Sequence, residues 1–341
     1  MSSIEKIRLS SITIADNVNA KLEIVGLLTS VEIAQTKAGA DYAKITIIDH
    51  EEQLVGNCWD LNLIHVPTLQ ASLGELVVLG GTPKTFGTNN AISFNVKTAN
   101  VLTPEELAVL GCSKIDFYNA VENRAELAAT LSNYLGQFAD TVYGKIAQQA
   151  IHNNWQIFSQ VAAGKTVHHT PVGGLLLHTV EVIKVADTFY KMSVELGYDC
   201  LCRALIITGA AVHDIGKCSE LETSPVGSSE YTANSILASH HISGIAMVVE
   251  AATQLGLQNT AECAELCHII AAHHERQEWG QLKEPALIEA VLVSKADYIS
   301  ACLNGVHGAL SKAKPGEQYQ GYGYKNNWVK SMGTYHDDRP I

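Results

Sequence analysis

Apolar and polar positions follow two different rhythms along this chain. Over the first hundred residues the apolar side chains come in short β-branched runs bounded by turn residues, which predicts strands over 21–31, 43–49, 54–59, 75–80 and 91–96. The punctuation between them is Lys37-Ala38-Gly39, the stretch 49–52, Gly80-Gly81 and the stretch 87–90. From about Phe117 the spacing becomes three to four residues in an Ala/Leu-rich background, which predicts helices over 117–137, 140–163, 175–196, 199–214, 240–255, 261–273 and 285–304. Thr103-Pro104-Glu105-Glu106 marks the crossing, with an N-capping threonine, proline at the first helical position and acids in the first turn.

Five short strands suit a small closed barrel of the oligonucleotide/oligosaccharide-binding (OB) type. The expected architecture is therefore multidomain: an N-terminal all-β, OB-like five-stranded barrel followed by an all-α domain. The chain has 341 residues, enough for two domains, and 47% of them are apolar, enough to bury a sizeable core. We place the barrel at 1–103, a helical linker region at 104–165, the main helical domain at 166–312 and a Gly-, Tyr- and Asn-rich irregular tail at 313–341. No apolar run approaches the length needed to span a bilayer, and the N-terminus lacks the basic-then-apolar order of a secretory signal. A cytoplasmic protein without membrane partners is expected, and a homo-oligomer is compatible with the sequence. The eight cysteines show no C-x-x-C pairing and read as reduced thiols. A net charge of −12 argues against affinity from a broad basic surface, so a nucleic-acid substrate would have to be held by metal ions and a local groove.

Nine of the 14 histidines fall between His168 and His274, which demands a reason. A single histidine in a helical core is usually just a satisfied polar group. The sharpest element here is Val212-His213-Asp214-Ile215-Gly216-Lys217 at the end of an apolar helix, where an imidazole and a carboxylate side by side can share one divalent ion and the carboxylate can reach a second. Gly216 is expected to let the backbone leave the helix, and Lys217 to stand within reach of a bound phosphate. His178 lies in the first turn of one apolar helix and Asp297 near the end of another, both costly places for an unpaired polar group. One shared cation explains all three sets. The pairs His240-His241 and His273-His274 would complete a two-metal centre; adjacent helical residues point about 100° apart, so only one of each pair need face the site. The plain alternative is that these pairs cap helices or face water.

The order H…HD…H…HH…D, carried by His178, His213-Asp214, His241, His273-His274 and Asp297, resembles the HD superfamily of metal-dependent phosphohydrolases. With a barrel in front, the chain is similar to the YhaM-type 3′-5′ exoribonuclease family over roughly residues 20–325. The likeness extends to His168-His169 before Gly173-Gly174-Leu175, Lys217 with Glu220-Leu221, Tyr231-Thr232, His241-Ile242-Ser243, Glu278-Trp279-Gly280 and Lys314-Pro315-Gly316-Glu317. The resemblance implies a divalent-metal nuclease that shortens single-stranded RNA, or DNA, from the 3′ end. It implies that His178, His213, Asp214 and Asp297 hold a first metal, and that His241, His273 and His274 hold a second with Asp214 bridging. Mn²⁺ and Mg²⁺ are the leading candidates, with Co²⁺, Fe²⁺ or Ni²⁺ compatible with so much nitrogen.

On this reading a metal-bound hydroxide attacks the terminal phosphodiester and releases nucleoside 5′-monophosphates. Asp214, Lys217 and His169 are the expected catalytic residues, and His168, Lys217 and Tyr231 the expected substrate contacts. One feature departs from the pattern: residues 1–110 carry seven basic and twelve acidic side chains, a net of −5, whereas single-strand binders usually offer a basic groove with aromatic platforms. Tyr42, Trp59, Phe86 and Phe94 are the aromatic candidates, each of which could equally be barrel core. The rival functions are an HD-type hydrolase of nucleotides or cyclic dinucleotides, although the Gly-Tyr-Pro signature of the latter is missing after His274, and a non-catalytic single-strand-binding protein.

Overall fold

The period-two alternation of the N-terminal segment rolls it into a closed barrel. The computed structural model describes residues 6–50, 52–86, 91–165, 169–224, 226–274, 280–310, 318–320 and 328–330. The barrel uses β1 (Lys6–Arg8), β2 (Leu22–Gln35), β3 (Asp41–Asp49), β4 (Glu52–Cys58), β5 (Leu76–Phe86) and β6 (Ala91–Val101), with the short helix α1 (Val66–Ala71) between β4 and β5 in the chain. The strand order is β1-β2-β3-β4-β6-β5, and β5 also pairs with β2, which closes the sheet; β4 and β6 run parallel. This is the OB order, five long strands with a helix before the fourth. The three-residue β1, parallel to β2, is an addition that is too short to leave a sequence pattern. Ile24, Leu28, Ile45, Ile47, Leu79, Phe94 and Val96 fill the interior.

Gly80-Gly81 is not a turn. Strand β5 runs straight through it, and the register against β6 shifts there by a bulge. A Cβ on Gly81 would sit 2.4 Å from the Asn95 carbonyl oxygen and one on Gly80 2.2 Å from Thr98 Oγ1, so these glycines permit close backbone approach inside the sheet. At one end of the barrel the buried Asp49 carboxylate accepts from Arg8 Nη2 (2.6 Å) and Nε (3.1 Å) and from Ser10 N (3.0 Å) and Oγ (2.6 Å), tying the N-terminal segment to β3.

The chain divides into two compact units, Met1–Ala120 with Ser224–Ser228, and Val121–Thr223 with Ser229–Ile341. The stretch 104–165 is thus shared. Helix α2 (Pro104–Leu110) falls in the first unit; it begins with the capping box of Thr103 and Glu106 and ends at Gly111 in the left-handed conformation (φ 63°). Helices α3 (Arg124–Gly136) and α4 (Val142–Phe158) give Leu127, Leu131, Leu135, Ile146, Ala150 and Phe158 to the core of the second. Helix α3 starts later than its apolar pattern suggests because the Val121 N–H donates to Val172 O (2.9 Å), which commits that backbone to an extended bridge.

The rest of the second unit is α5 (Gly174–Glu195), α6 (Arg203–Val212), α7 (Lys217–Glu220), α8 (His240–Gln254), α9 (Ala261–Ala272) and α10 (Ile288–Leu310). Helix α6 is central: residues 205–212 are all buried, against α4, α5, α9 and α10. A helix apolar all round must be enclosed. The domain is not purely helical, since β7 (Leu221–Thr223) and β8 (Ser229–Tyr231) form a small hairpin after α7, and β9 (Gln318–Gln320) pairs antiparallel with β10 (Trp328–Lys330) in the stretch expected to be irregular. Among the described residues no helix is long and apolar enough to cross a membrane. All eight cysteines are described and carry free thiols.

Candidate metal centre

Four helix ends and the middle of a fifth helix bring the histidines and the two aspartates together. Helix α6 delivers His213 at its C-cap and Asp214 directly after it. Gly216 has an ordinary φ of −63°, so its role is not to turn the chain; a Cβ there would lie 1.8 Å from the His240 carbonyl oxygen, and glycine lets the start of α8 press against the His213-Asp214 corner. Gly173 takes the left-handed conformation (φ 83°) ahead of α5, and a Cβ on Gly174 would lie 1.9 Å from the His169 carbonyl oxygen, which explains the glycine pair before His178. His273 caps α9 with His274 next, and Asp297 comes from α10.

His178, His213, Asp214 and Asp297 form one group. His178 Nε2 lies 3.1 Å from Asp297 Oδ1, 3.4 Å from Asp214 Oδ2 and 3.2 Å from His213 Nε2. His213 Nε2 lies 3.5 Å from Asp214 Oδ2 and 3.9 Å from Asp297 Oδ1. His240, His241, His273 and His274 form the second group, with one nitrogen from each within 4.8 Å of the others. Asp214 stands between them. Its Oδ2 serves the first group, while its Oδ1 faces His273 Nε2 at 3.4 Å and His240 Nε2 at 3.7 Å.

The imidazoles are held from behind. His213 Nδ1 donates to Ala210 O (2.7 Å) and His273 Nδ1 to Ile270 O (2.8 Å). His240 Nδ1 is 2.6 Å from Glu220 Oε2, and His178 Nδ1 is 3.1 Å from Ser300 Oγ, whose hydroxyl donates to Glu181 Oε2 (2.7 Å). A carbonyl or carboxylate on Nδ1 fixes the proton there and turns the Nε2 lone pair inward, as in metal-binding histidines. The inward atoms are left unsatisfied: Asp214 Oδ1, His240 Nε2, His273 Nε2 and both ring nitrogens of His241 are buried without a hydrogen-bond partner. Each such atom costs about 1–3 kcal/mol unless something binds it. Nitrogen and carboxylate donors aimed at one space fit divalent cations.

The electrostatics agree with that fit. Burial works to push the carboxyl of Asp214 up, yet Lys217, His213 and His178 hold it well below its ordinary value. Burial disfavours a charged His178, but Asp214 and Asp297 outweigh it and raise the imidazole to about 9. In the second group burial and neighbouring imidazoles lower His241 to about 2 and His274 to about 3, so these rings stay neutral and keep their lone pairs.

All seven expected metal ligands are thus gathered, each within one of the two groups. Lys217 Nζ pairs with Asp214 Oδ2 at 2.7 Å. His169 is buried, with a left-handed φ of 49°, and its Nε2 lies 2.9 Å from Glu181 Oε2; its ring lies 4.9 Å from that of His178. Asn304 accepts the His169 backbone N–H (2.9 Å), and Glu181 links the His169 ring through Ser300 to His178. Tyr231 is 55% exposed on β8, with Lys165 Nζ 5.8 Å from its ring. His168 lies outside the described residues. Sequence reasoning left open which of His240 and His241 faces the site, and missed Glu220 as the support of His240 and Ser300 and Glu181 as the supports of His178. The signal for the last two was spacing: Glu181 and Ser300 each follow a ligand by three residues on the same helix face. In the barrel, Phe94 is core, while Tyr42 stacks on the 43%-exposed Trp59 with ring centroids 4.6 Å apart. The Phe86 side chain lies outside the described residues.

This constellation on a helical scaffold defines an HD domain, and residues 177–302 match the HD domain family model. Over longer stretches the chain is similar to proteins named 3′-5′ exoribonuclease YhaM. It is 31% identical over 192 residues to that of Bacillus pumilus, covering 56% of this chain and 59% of the relative, and 30% identical over 192 residues to that of Bacillus subtilis, covering 56% and 59%. To that of Listeria innocua it is 24% identical over 305 residues, covering 88% and 91%. The matched part spans less than two thirds of the Bacillus relatives. Among solved structures, the second OB-fold domain of replication protein A from Methanococcus maripaludis aligns at a TM-score of 0.21 and 13% identity, covering 29% of this chain and 95% of that one; the OB assignment rests on strand order instead.

Proposed function

We propose that the protein is a divalent-metal-dependent 3′-5′ exonuclease that shortens single-stranded RNA to nucleoside 5′-monophosphates. The observation that carries this reading is Asp214, with one carboxylate oxygen turned to each of two histidine groups, the second of which holds His240 Nε2, His273 Nε2 and both nitrogens of His241 buried without a hydrogen-bond partner. The name of the YhaM relatives supports the substrate and the direction.

His178, His213, Asp214 and Asp297 would hold one ion, and His241, His273 and His274 with the other oxygen of Asp214 a second; Mn²⁺ is the first choice for ligands that mix nitrogen and oxygen. Bound there, divalent ions polarise a phosphate and lower the pKa of water toward neutrality. Lys217 leaves its pairing with Asp214 free to be shared with a nonbridging phosphate oxygen as charge builds there. Tyr231, exposed beside the Lys165 ammonium, suits a base or sugar of the strand. His169 acts through Glu181 and His178. On the barrel, the Tyr42–Trp59 stack joins the start of the second long strand to the residue just after the third, beside the face that OB folds commonly use for oligonucleotides, and gives an acidic barrel a way to bind bases by stacking. The eight free thiols are in keeping with a reducing compartment such as the cytoplasm.

The test is incubation of the purified chain with Mn²⁺ and 5′-labelled single-stranded RNA, alongside the DNA counterpart and a panel of nucleotides and cyclic dinucleotides. A ladder of products shortened from the 3′ end is expected, abolished by EDTA and by D214A. Turnover of the small molecules alone would replace this reading with a nucleotide hydrolase.

A further inference from the structure

The group of four imidazoles on the Oδ1 side of Asp214, two of which face that oxygen, differs in kind from the neighbouring group. The His178, His213, Asp214 and Asp297 set offers two nitrogens and two carboxylates, whereas the His240, His241, His273 and His274 set offers four nitrogens within 4.8 Å, with Asp214 Oδ1 as the one oxygen beside them. Donor chemistry decides what each can hold. Mg²⁺ demands oxygen ligands and sheds water reluctantly, while imidazole suits Fe²⁺, Co²⁺, Ni²⁺ and Zn²⁺.

His240 completes the nitrogen set, and Glu220 presents it. Glu220 Oε2 accepts from both the His240 backbone N–H (3.1 Å) and Nδ1 (2.6 Å), so the free lone pair is on Nε2, which is buried with no hydrogen-bond partner. A helix-capping role does not account for this histidine pair, because the N-cap of α8 is Ser239 and no side chain caps it. Nor does core packing, which would leave His241 with two unsatisfied nitrogens.

We propose that His240, His241, His273 and His274 hold a borderline first-row transition ion that Mg²⁺ does not displace, with His240 as a ligand and Glu220 as its positioning residue, while the carboxylate-bearing group takes a harder, exchangeable ion. The centre is then heterobimetallic under conditions where Mg²⁺ is abundant. This rests on the reading of the pocket as a cation centre, and deepens it.

The test loads the metal-free full-length chain with Co²⁺, dialyses it against excess Mg²⁺, and measures retained Co²⁺ by elemental analysis and by its visible d–d absorption. The wild type should keep about one Co²⁺ per chain, as nitrogen donors favour Co²⁺ over Mg²⁺. D297N should keep it too. H240Q should lose it, and E220A should weaken it by about 10–100-fold, the range for loss of a residue that orients a ligand, with E220Q restoring much of the affinity. Circular dichroism checks that H240Q folds; if it does not, the Glu220 pair carries the test, and wild-type Co²⁺ retention in E220A overturns the proposal. So does stripping of Co²⁺ from the wild type by Mg²⁺. A wild-type chain that takes up no Co²⁺ before dialysis overturns instead the broader reading that the pocket holds cations.

Discussion

Asp214 shows how one side chain can organise a site. Buried to 2% exposure, it meets Lys217, His178 and His213 through one oxygen and His240 and His273 through the other. The gathered side chains themselves were legible in the sequence, because a histidine or carboxylate set in an apolar helix or at its end is costly and seven such positions in order are hard to explain singly. Their supports were less legible. Ser300 and Glu220 act through tertiary contacts, 122 and 20 residues along the chain from the imidazoles they hold; the three-residue spacing from Asp297 hints at Ser300, while nothing local marks Glu220. The Ser300 contact is testable: S300A removes the acceptor of His178 Nδ1 and should lower metal affinity and activity about 10–100-fold, with S300T restoring most of both. An unchanged metal affinity in S300A, measured by calorimetric titration, would remove the hydrogen-bonded chain from His178 through Ser300 to Glu181 from the explanation.

At the scale of elements, helices and strands emerged from periodicity, and the errors came from glycine. Gly80-Gly81 signals a turn in sequence, but inside β5 it permits a bulge where Asn95 and Thr98 crowd the backbone. Gly216 looks like a helix stop and is instead a contact point between the α6 corner and α8. Residue type reveals that backbone is close, not which backbone. G81A should therefore destabilise the chain by about 1–3 kcal/mol through overpacking, seen as a lower denaturant midpoint with an unchanged slope. G216A should act more on activity than on stability, since what must shift is the first turn of α8, and with it His240 and His241. The Asp49 cluster makes an element-scale prediction about pH. Burial pushes its carboxyl up, but the bonds from Arg8 and Ser10 prevail and hold it below the ordinary value of 3.8. Its stabilisation is then full above that value and is lost as pH falls through the lower folded-state value. Thermal melts across the acid range should show D49N destabilised at neutral pH and converging on the wild type as the pH drops.

At the scale of the whole molecule, the chain joins an OB-like barrel to a helical HD domain, and the proposed function gives the first the gripping of a strand and the second its cutting. The change of rhythm near residue 103 made that division visible in sequence, although the described units part near residue 120, where packing rather than helix content sets the border. Residues 1–110 carry a net charge of −5, so if stacking rather than charge holds the strand, W59A should weaken binding of single-stranded RNA by about 1–3 kcal/mol, read by fluorescence anisotropy, while leaving hydrolysis of a minimal dinucleotide intact. Equal RNA affinity in W59A would detach the barrel from substrate binding. The most direct measurement of all concerns the cations: an anomalous difference map from crystals of the full-length chain grown with Mn²⁺. Two peaks are expected, one on each side of the Asp214 carboxylate, the first among His178, His213 and Asp297 and the second among the other four histidines. A map with no peak in coordination range of Asp214 would contradict the metal centre and the hydrolytic function built on it.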